Sequence, residues 1–255
     1  MSNKTNNELI NYAEYHMNIL ERVKYSLIAM AGVYILCILF YNNHIIAGIL
    51  SLIGLLYPKY KKPQLIKKRK TELRLQFKEA IYALSSSLGA GKSIESSFKS
   101  VLSDLRILYP EPNTYIILEF EYIVRKIEMN ETIEDAIQDF ASRASIDDIT
   151  NFSNVFVTAK RTGGNIISII RYTSNVISEK IEIHNEIEVL VSSKQFEHRI
   201  LSLLVPGIII YLQMSSPGYL EVMYSTITGR ILMTVCLILF TVSYRVGKKI
   251  TDIEV

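Results

Sequence analysis

Residues 85–98 read SSSLGAGKSIESSF, and the fold turns on what the glycines inside this stretch do. The tract GAGKS ends like a phosphate-binding loop, G-x-x-x-x-G-K-[ST], in which a glycine on each side of the turn lets successive N–H groups curl round the phosphates. Counting back from Gly91, the first glycine of such a loop falls on Ser86. The loop must also leave a strand, yet the preceding ELRLQFKEAIYALSSSL places Leu73, Phe77, Ile81 and Leu84 at helical spacing. No later strand ending in Asp supplies a magnesium ligand. The stretch therefore reads as a helix, a glycine turn and a second helix N-capped by Ser93, with no nucleotide cofactor.

The same corner recurs. In GKSIESSF, NETIEDAI and GGNIISII a turn-forming residue (Gly91, Asn130, Gly163) is followed three on by an isoleucine (Ile94, Ile133, Ile166) and seven on by Phe98, Ile137 or Ile170. Offsets three and seven share one helix face, so each corner is expected to lay its second helix onto a common core. Gly89 and Gly164 flank the first and third corners. Working outward, helices are expected over 64–88, 93–108, 114–129, 132–143 and 147–161. A long helix from Asn165 continues into an apolar run, and it is the only segment expected to pass unbroken from the helical middle to the membrane. Breakers fall between these helices, at Gly89 and Gly91, at YPEP (Tyr109 to Pro112), at Asn130 and at Gly163-Gly164. Thr132 with Asp135 forms a capping box.

Within the long helix, Ile166, Ile169, Ile170, Val176, Ile177, Ile183, Ile187, Leu190 and Val191 form a broad apolar stripe suited to a bundle core. His184 sits on this helix as an ordinary surface histidine, because the chain has no room after it for the ATP-binding domain of a histidine kinase. His16, His44 and His198 are isolated, so no metal cluster is expected. No Ser/His/Asp or paired-carboxylate arrangement points to catalysis, and Glu79, Glu95, Glu119 and Glu121 read as solvated helix faces.

Composition sets the class. The 255 residues are 49% hydrophobic with a mean hydropathy of +0.21, which is high for a soluble domain and low for a chain that is all membrane. From Tyr25 to Pro58 there is no Asp, Glu, Lys or Arg. As one helix this stretch would run roughly 50 Å against a hydrocarbon core of about 30 Å, so it is expected to fold back at YNNH, Tyr41 to His44. A second apolar region, Ile200 to Leu220 and Val222 to Tyr244, is interrupted at SSPGYLE. The expected architecture is all-α: a polytopic membrane protein with four transmembrane helices, two N-terminal and two C-terminal, around a central cytoplasmic helical bundle. Its parts are a cytoplasmic N-terminal segment (1–24), a transmembrane hairpin (25–58), the helical domain (59–199), a C-terminal transmembrane pair (200–247) and a cytoplasmic tail (248–255). In the first segment Leu9, Ile10, Tyr12, Ala13, Met17 and Leu20 suit a short amphipathic helix. The first apolar run has no cleavage site after it and reads as an anchor.

Cations orient the chain. Lys59, Lys61, Lys62, Lys67, Lys68, Arg69 and Lys70 follow the first hairpin, with Arg74 beyond them, and Arg245, Lys248 and Lys249 follow the last span. The connecting turns lack Lys and Arg until Arg230, which puts the middle and both termini in the cytoplasm. With a net charge of only +3, the basic run beside a span fits anionic membrane lipid and topology rather than nucleic acid. Cys37 and Cys236 both lie in apolar runs, where neither a disulfide nor a thiolate metal site is expected.

In this order the parts resemble a known family. LGAGKSIESSF, AKRTGGNIISII, the long helix into ILSLLVPGIIIYLQMSSPGYLEVMYSTITGRIL, and GKKITDIEV at the end look like the type II secretion system F domain family. Within it the chain is most similar to the TadB branch of the tight-adherence (Flp) pilus machinery, with the sister TadC branch as runner-up. The resemblance covers nearly the whole chain from Tyr25, and its specific pieces are the Pro206 span with SPGY, the TxxGR motif before the last span, and the I-x-V terminus. It implies a non-enzymatic, oligomeric platform in the cytoplasmic (inner) membrane. Its partners would be a hexameric cytoplasmic secretion ATPase, a second copy or a TadC-like sister subunit, and small hydrophobic pilin subunits that it helps extract or assemble. The basic linker here is dominated by Lys, whereas many relatives are Arg-rich. The reading from a different class is a membrane-anchored helical receptor or signalling protein.

Overall fold

The computed structural model describes residues 10–15, 17–216 and 218–251. Leu9, His16, Pro217 of the SPGY piece and residues 252–255 with the I-x-V terminus lie outside them. Among the described residues the structure is helical throughout, with no strand. The chain divides into two compact units, Met1–His16 with Lys62–Glu182, and Met17–Lys61 with Ile183–Val255.

In the first unit the expected helices form within a residue or two of their expected ends: α4 (Ile94–Leu108), α5 (Tyr115–Glu128), α6 (Ile133–Ala144) and α7 (Asp147–Thr162). They pack in sequence, α4 on α5, α5 on α6 and α6 on α7. The helix before them, α3 (Tyr57–Gly89), and the first part of the one after, α8 (Ile166–Ser215), complete the unit. Periodicity dictates the core. Leu73, Phe77, Ile81 and Leu84 of α3, spaced as the sequence suggests, are all at most 1% exposed. Phe77 meets Phe152 edge-on at 5.5 Å and Phe98 stacks on Phe120 at 5.6 Å. Such rings each bury on the order of 150–250 Å², so a few of them carry much of the apolar stabilisation.

Four expectations are corrected. The third helix starts at Tyr57 rather than at residue 64, because the 3-10 turn Leu52–Leu56 feeds straight into it and no new nucleation is required. Pro63 is carried inside α3 at the loss of one hydrogen bond. Second, the broad stripe of α8 is a narrow seam: Ile170, Ser174, Ile177 and Ile181 are buried, at the 4-3-4 spacing of a heptad, while Ile183 and Leu190 are exposed. Third, Ile10 to Tyr15 form no amphipathic helix; the first helix, α1 (Ile19–Tyr41), begins beyond them. Nor is α8 alone in crossing from one unit to the other, since α3 begins in the second unit and ends in the first.

The second unit holds α1, α2 (His44–Ser51), the 3-10 turn, the rest of α8, α9 (Glu221–Ser225) and α10 (Ile227–Thr251). The fold-back expected at YNNH occurs there. Asn42 ends α1 with φ 47°, and the Asn43 side chain accepts from the N–H groups of Ile45 and Ile46. Asn suits both places, since it tolerates the left-handed region and caps helices well. Among the described residues three helices are long and apolar enough to cross a membrane: α1, α8 and α10. The second arm, α2 with its 3-10 turn, rises only about 22 Å by helical geometry, short of a ~30 Å hydrocarbon core.

Candidate functional site

The three repeated corners share one construction. Gly91, Asn130 and Gly163 have φ of 83°, 60° and 68°, in the left-handed region. Two residues on, a side chain caps the next helix: Ser93 accepts from Ser96 N–H at 3.2 Å, Thr132 from Asp135 N–H at 3.2 Å, and Asn165 from Ser168 N–H at 3.1 Å. Seven on, Phe98, Ile137 and Ile170 are each at most 1% exposed. The chain thus turns by a left-handed residue, is capped, and drops its second apolar residue into the core. Gly89 is the last residue of α3, and Gly164 donates its N–H to Ala159 O, closing the end of α7. Lys92 has a local partner, donating to Ser100 Oγ of the following helix α4 at 2.8 Å.

The basic run is divided by its surroundings. Lys59, Lys62, Lys67 and Lys68 are exposed and Lys61 is half-buried. Arg69 lies over the rings of Tyr15 and Tyr115 at 4.8 and 5.7 Å and reaches Glu14 O. Lys70 donates to Ser145 O at 2.7 Å, the residue that ends α6 in the left-handed region, where a cation complements the helix dipole. The last two cations of the run therefore serve packing within the first unit.

A buried charge network lies beside them. Arg143 grips Glu119 through both guanidinium nitrogens at 2.7 and 2.6 Å, and Glu119 is 2% exposed. This corrects the reading of Glu119 as a solvated carboxylate. Tyr12, fully buried, donates its hydroxyl to Glu119 Oε1 and its backbone N–H to Arg143 O, each at 3.0 Å, and meets Tyr115 edge-on. Burial, and then the Glu119 charge, push the Tyr12 hydroxyl pKa far up. For Arg143 burial acts to lower the pKa, but the hydrogen bonds and charge of Glu119 outweigh it and raise it. A second hub is Asp148 in the first turn of α7, 6% exposed, which binds Arg74 at 2.6 Å and Lys180 at 2.9 Å and so ties α3, α7 and α8 together. Gln76 of α3 accepts the N–H of Ile116 at 3.2 Å, serving as the cap that Thr114 does not supply to α5.

The signal for these groups was present in the periodicity. Glu119 stands three after Ile116 and four before Ile123, on the apolar face of α5; Arg143 stands three after Phe140, and Asp148 four before Phe152. A charged residue on a core face predicts a buried partner. His184 is half-buried, and Cys37 and Cys236 are free thiols. Among the described residues no group of three His, Cys, Asp or Glu side chains converges on a point that could hold a metal. Each charge of the network is met by another, which makes it a structural clasp. Compared with protein-family models, characterised proteins and solved structures, the chain matches none.

Proposed function

We propose that this chain is an inner-membrane platform subunit of a type II secretion-like, tight-adherence pilus assembly machine. It couples a hexameric cytoplasmic ATPase to the extraction or assembly of pilin subunits, and it works as an oligomer with itself or a TadC-like sister. The observation that carries the reading is α8, a single 50-residue helix that starts at the Gly163-Gly164 corner of the helical unit and ends in an apolar segment able to span a membrane. A motor acting on the bundle would move such a helix as a nearly rigid element, and α3 offers a second one. In this reading the first hairpin makes two crossings, the second through α2, the 3-10 turn and the start of α3, for four in all. The bundle and both termini face the cytoplasm, following the Lys and Arg distribution.

Two experiments test it. Cysteines at Asn43 and Ser216 in a Cys-free background are expected to react with an impermeant reagent from outside, and cysteines at Ser103 and Ser142 are not; labelling of Ser103 in intact cells would reverse the orientation and remove the motor contact. A flexible Gly-Ser insertion between Ser192 and Ser193 is expected to leave ATPase copurification intact and abolish pilin assembly. Normal assembly with the insertion would take the coupling role away from α8, and failure of any cytoplasmic ATPase to crosslink to residues 75–195 would sink the platform reading.

A further inference from the structure

In the second unit the turn after α1 and the turns around α9 enclose an open, mainly polar pocket of about 580 Å³, lined by Asn42, Gln213, Leu220, Glu221, Tyr224 and Ser225. The side-chain donors of Gln213, Tyr224 and Ser225 are committed within the protein, and the Asn42 amide is the exception. Gln213 Nε2 donates to Tyr224 Oη at 2.8 Å and to Leu39 O at 3.5 Å; because a backbone carbonyl can only accept, the amide orientation is fixed and Oε1 is left as an acceptor. The Tyr224 hydroxyl gives its proton to Leu39 O at 2.9 Å, and the Ser225 hydroxyl gives its own to Glu221 O at 2.8 Å. What remains is the Asn42 amide, a set of acceptors and the exposed carboxylate of Glu221, with which no Lys or Arg is paired among the described residues. Arg230, outside that lining, donates from Nε to Tyr224 O at 2.8 Å, which ties its guanidinium to a residue of the pocket and leaves the Nη groups to donate.

An unpaired carboxylate with the Gln213 acceptor near it selects a hydrogen-bonding cation, and a guanidinium tied to the same turn selects an anion. The pocket lies where helices apolar enough to span a membrane end, with Tyr219, Val222 and Ile227 exposed around it, which is the level of lipid head groups. We propose that it holds the head group of an ethanolamine phospholipid, the primary ammonium on Glu221 and the phosphate on Arg230. A choline head group has no N–H to offer and calls for an aromatic cage, whereas this lining has a single ring. A glycerol head group carries no cation for Glu221. The inference rests on the membrane reading of these helices and not on any role in secretion.

The test uses the full chain in nanodiscs of equal parts phosphatidylethanolamine, phosphatidylcholine and phosphatidylglycerol, with retained lipid identified by native mass spectrometry. The wild type is expected to retain the ethanolamine lipid over the choline lipid by about tenfold, the size of one charge-assisted hydrogen bond. Glu221→Gln brings that ratio to one, Glu221→Asp keeps most of it, and Arg230→Gln lowers retention of the ethanolamine lipid; unchanged helical content shows that each variant is folded. Equal retention of the two lipids by the wild type, or a preference that survives Glu221→Gln, overturns the assignment. So does saturable binding of soluble phosphoethanolamine to detergent-solubilised protein that shows no lipid preference in nanodiscs, because the ligand is then a free amine. Only lipid retention is read, so loss of the ATPase or pilin contacts leaves the result unaffected.

Discussion

The two units solve the same problem, packing helices together, with opposite materials. In the first, phenylalanines and isoleucines face inward and charges face water, so burial of apolar area supplies the stabilisation. In the second, large apolar side chains face outward, Leu203 at 72% and Ile227 at 78% exposure, a surface that suits lipid or a partner protein rather than water. Its interior is instead made of small contacts and internal hydrogen bonds. A Cβ on Gly54 would stand 2.6 Å from Met30 N, and one on Gly229 equally close to Met223, while Tyr41 donates to Thr234 at 3.0 Å. Where the solvent is as apolar as the side chains, close approach and polar pairing replace the hydrophobic effect. The contrast teaches that an exposed leucine and a buried carboxylate are both consistent with a well-made fold once the surroundings of each are known.

The largest expected effect breaks the first unit at its polar exception. Arg143→Leu leaves Glu119 charged, buried and without its guanidinium, and is expected to cost about 3–5 kcal/mol in denaturant unfolding of the full chain. The double variant Glu119→Leu with Arg143→Leu recovers most of that loss, since no lone charge remains. A double variant as unstable as the single one would mean that the clasp gives net stability beyond satisfying itself.

Next comes the second unit's close approach. Gly54→Val forces α1 from the 3-10 turn and is expected to cost about 1–3 kcal/mol. Gly48 is the internal control, because an added Cβ there meets nothing within 4 Å, and Gly48→Ala is expected to be neutral. Equal effects at the two glycines would show that small residues are not what brings these helices together.

The corners were the most legible part of the molecule, and the reason is physical. Positive φ favours Gly or Asn, the cap position Ser, Thr or Asn, and the core position a large apolar residue, so three separate requirements leave marks in eight residues. Gly91→Val is accordingly expected to cost about 1–2 kcal/mol through backbone strain, although Gly91 has open space around it. Asn130→Gly is expected to be neutral. Less could be read where a partner is distant in sequence. Glu119 finds Arg143 and Tyr12 across 24 and 107 residues, and nothing at the position of Tyr12 announces that an N-terminal tyrosine closes a charge pair. The polar pocket leaves no mark in the sequence for the same reason, being built from the turn after α1, the end of α8 and α9, which only the fold brings together.

Tyr12 gives a smaller effect, with a sign that can be worked out. Its folded pKa is raised, so above about pH 10 an unfolded tyrosine loses its proton while the buried one keeps it. The folded state then binds more protons, and stability is full below about pH 10 and falls by up to about 1.4 kcal/mol for each further pH unit. Tyr109, raised by burial and by Glu79, acts in the same direction. Tyr12→Phe is expected to flatten most of the slope between pH 10 and 11 in urea titrations, and an unchanged slope would take Tyr12 out of the charge network.

The smallest expected effect is the sharpest test of the contrast. Leu203→Ala on α8 removes the same atoms as Leu84→Ala on α3, yet Leu84 is fully buried in the first unit and Leu203 is largely exposed in the second. In water-facing terms Leu84→Ala loses both transfer free energy and packing, about 2–5 kcal/mol. For Leu203 the surroundings on both sides of unfolding are detergent or lipid chains, so no transfer from water takes place and little packing is lost. The change expected in unfolding free energy in micelles is within about 0.5 kcal/mol, the range of an ordinary surface substitution. A loss at Leu203 approaching that at Leu84 would mean that this face of α8 packs against protein. Crosslinking from a cysteine at Leu203 would then separate a second copy from a different subunit, and the outward face would have to be counted as interface and no longer as lipid-facing surface.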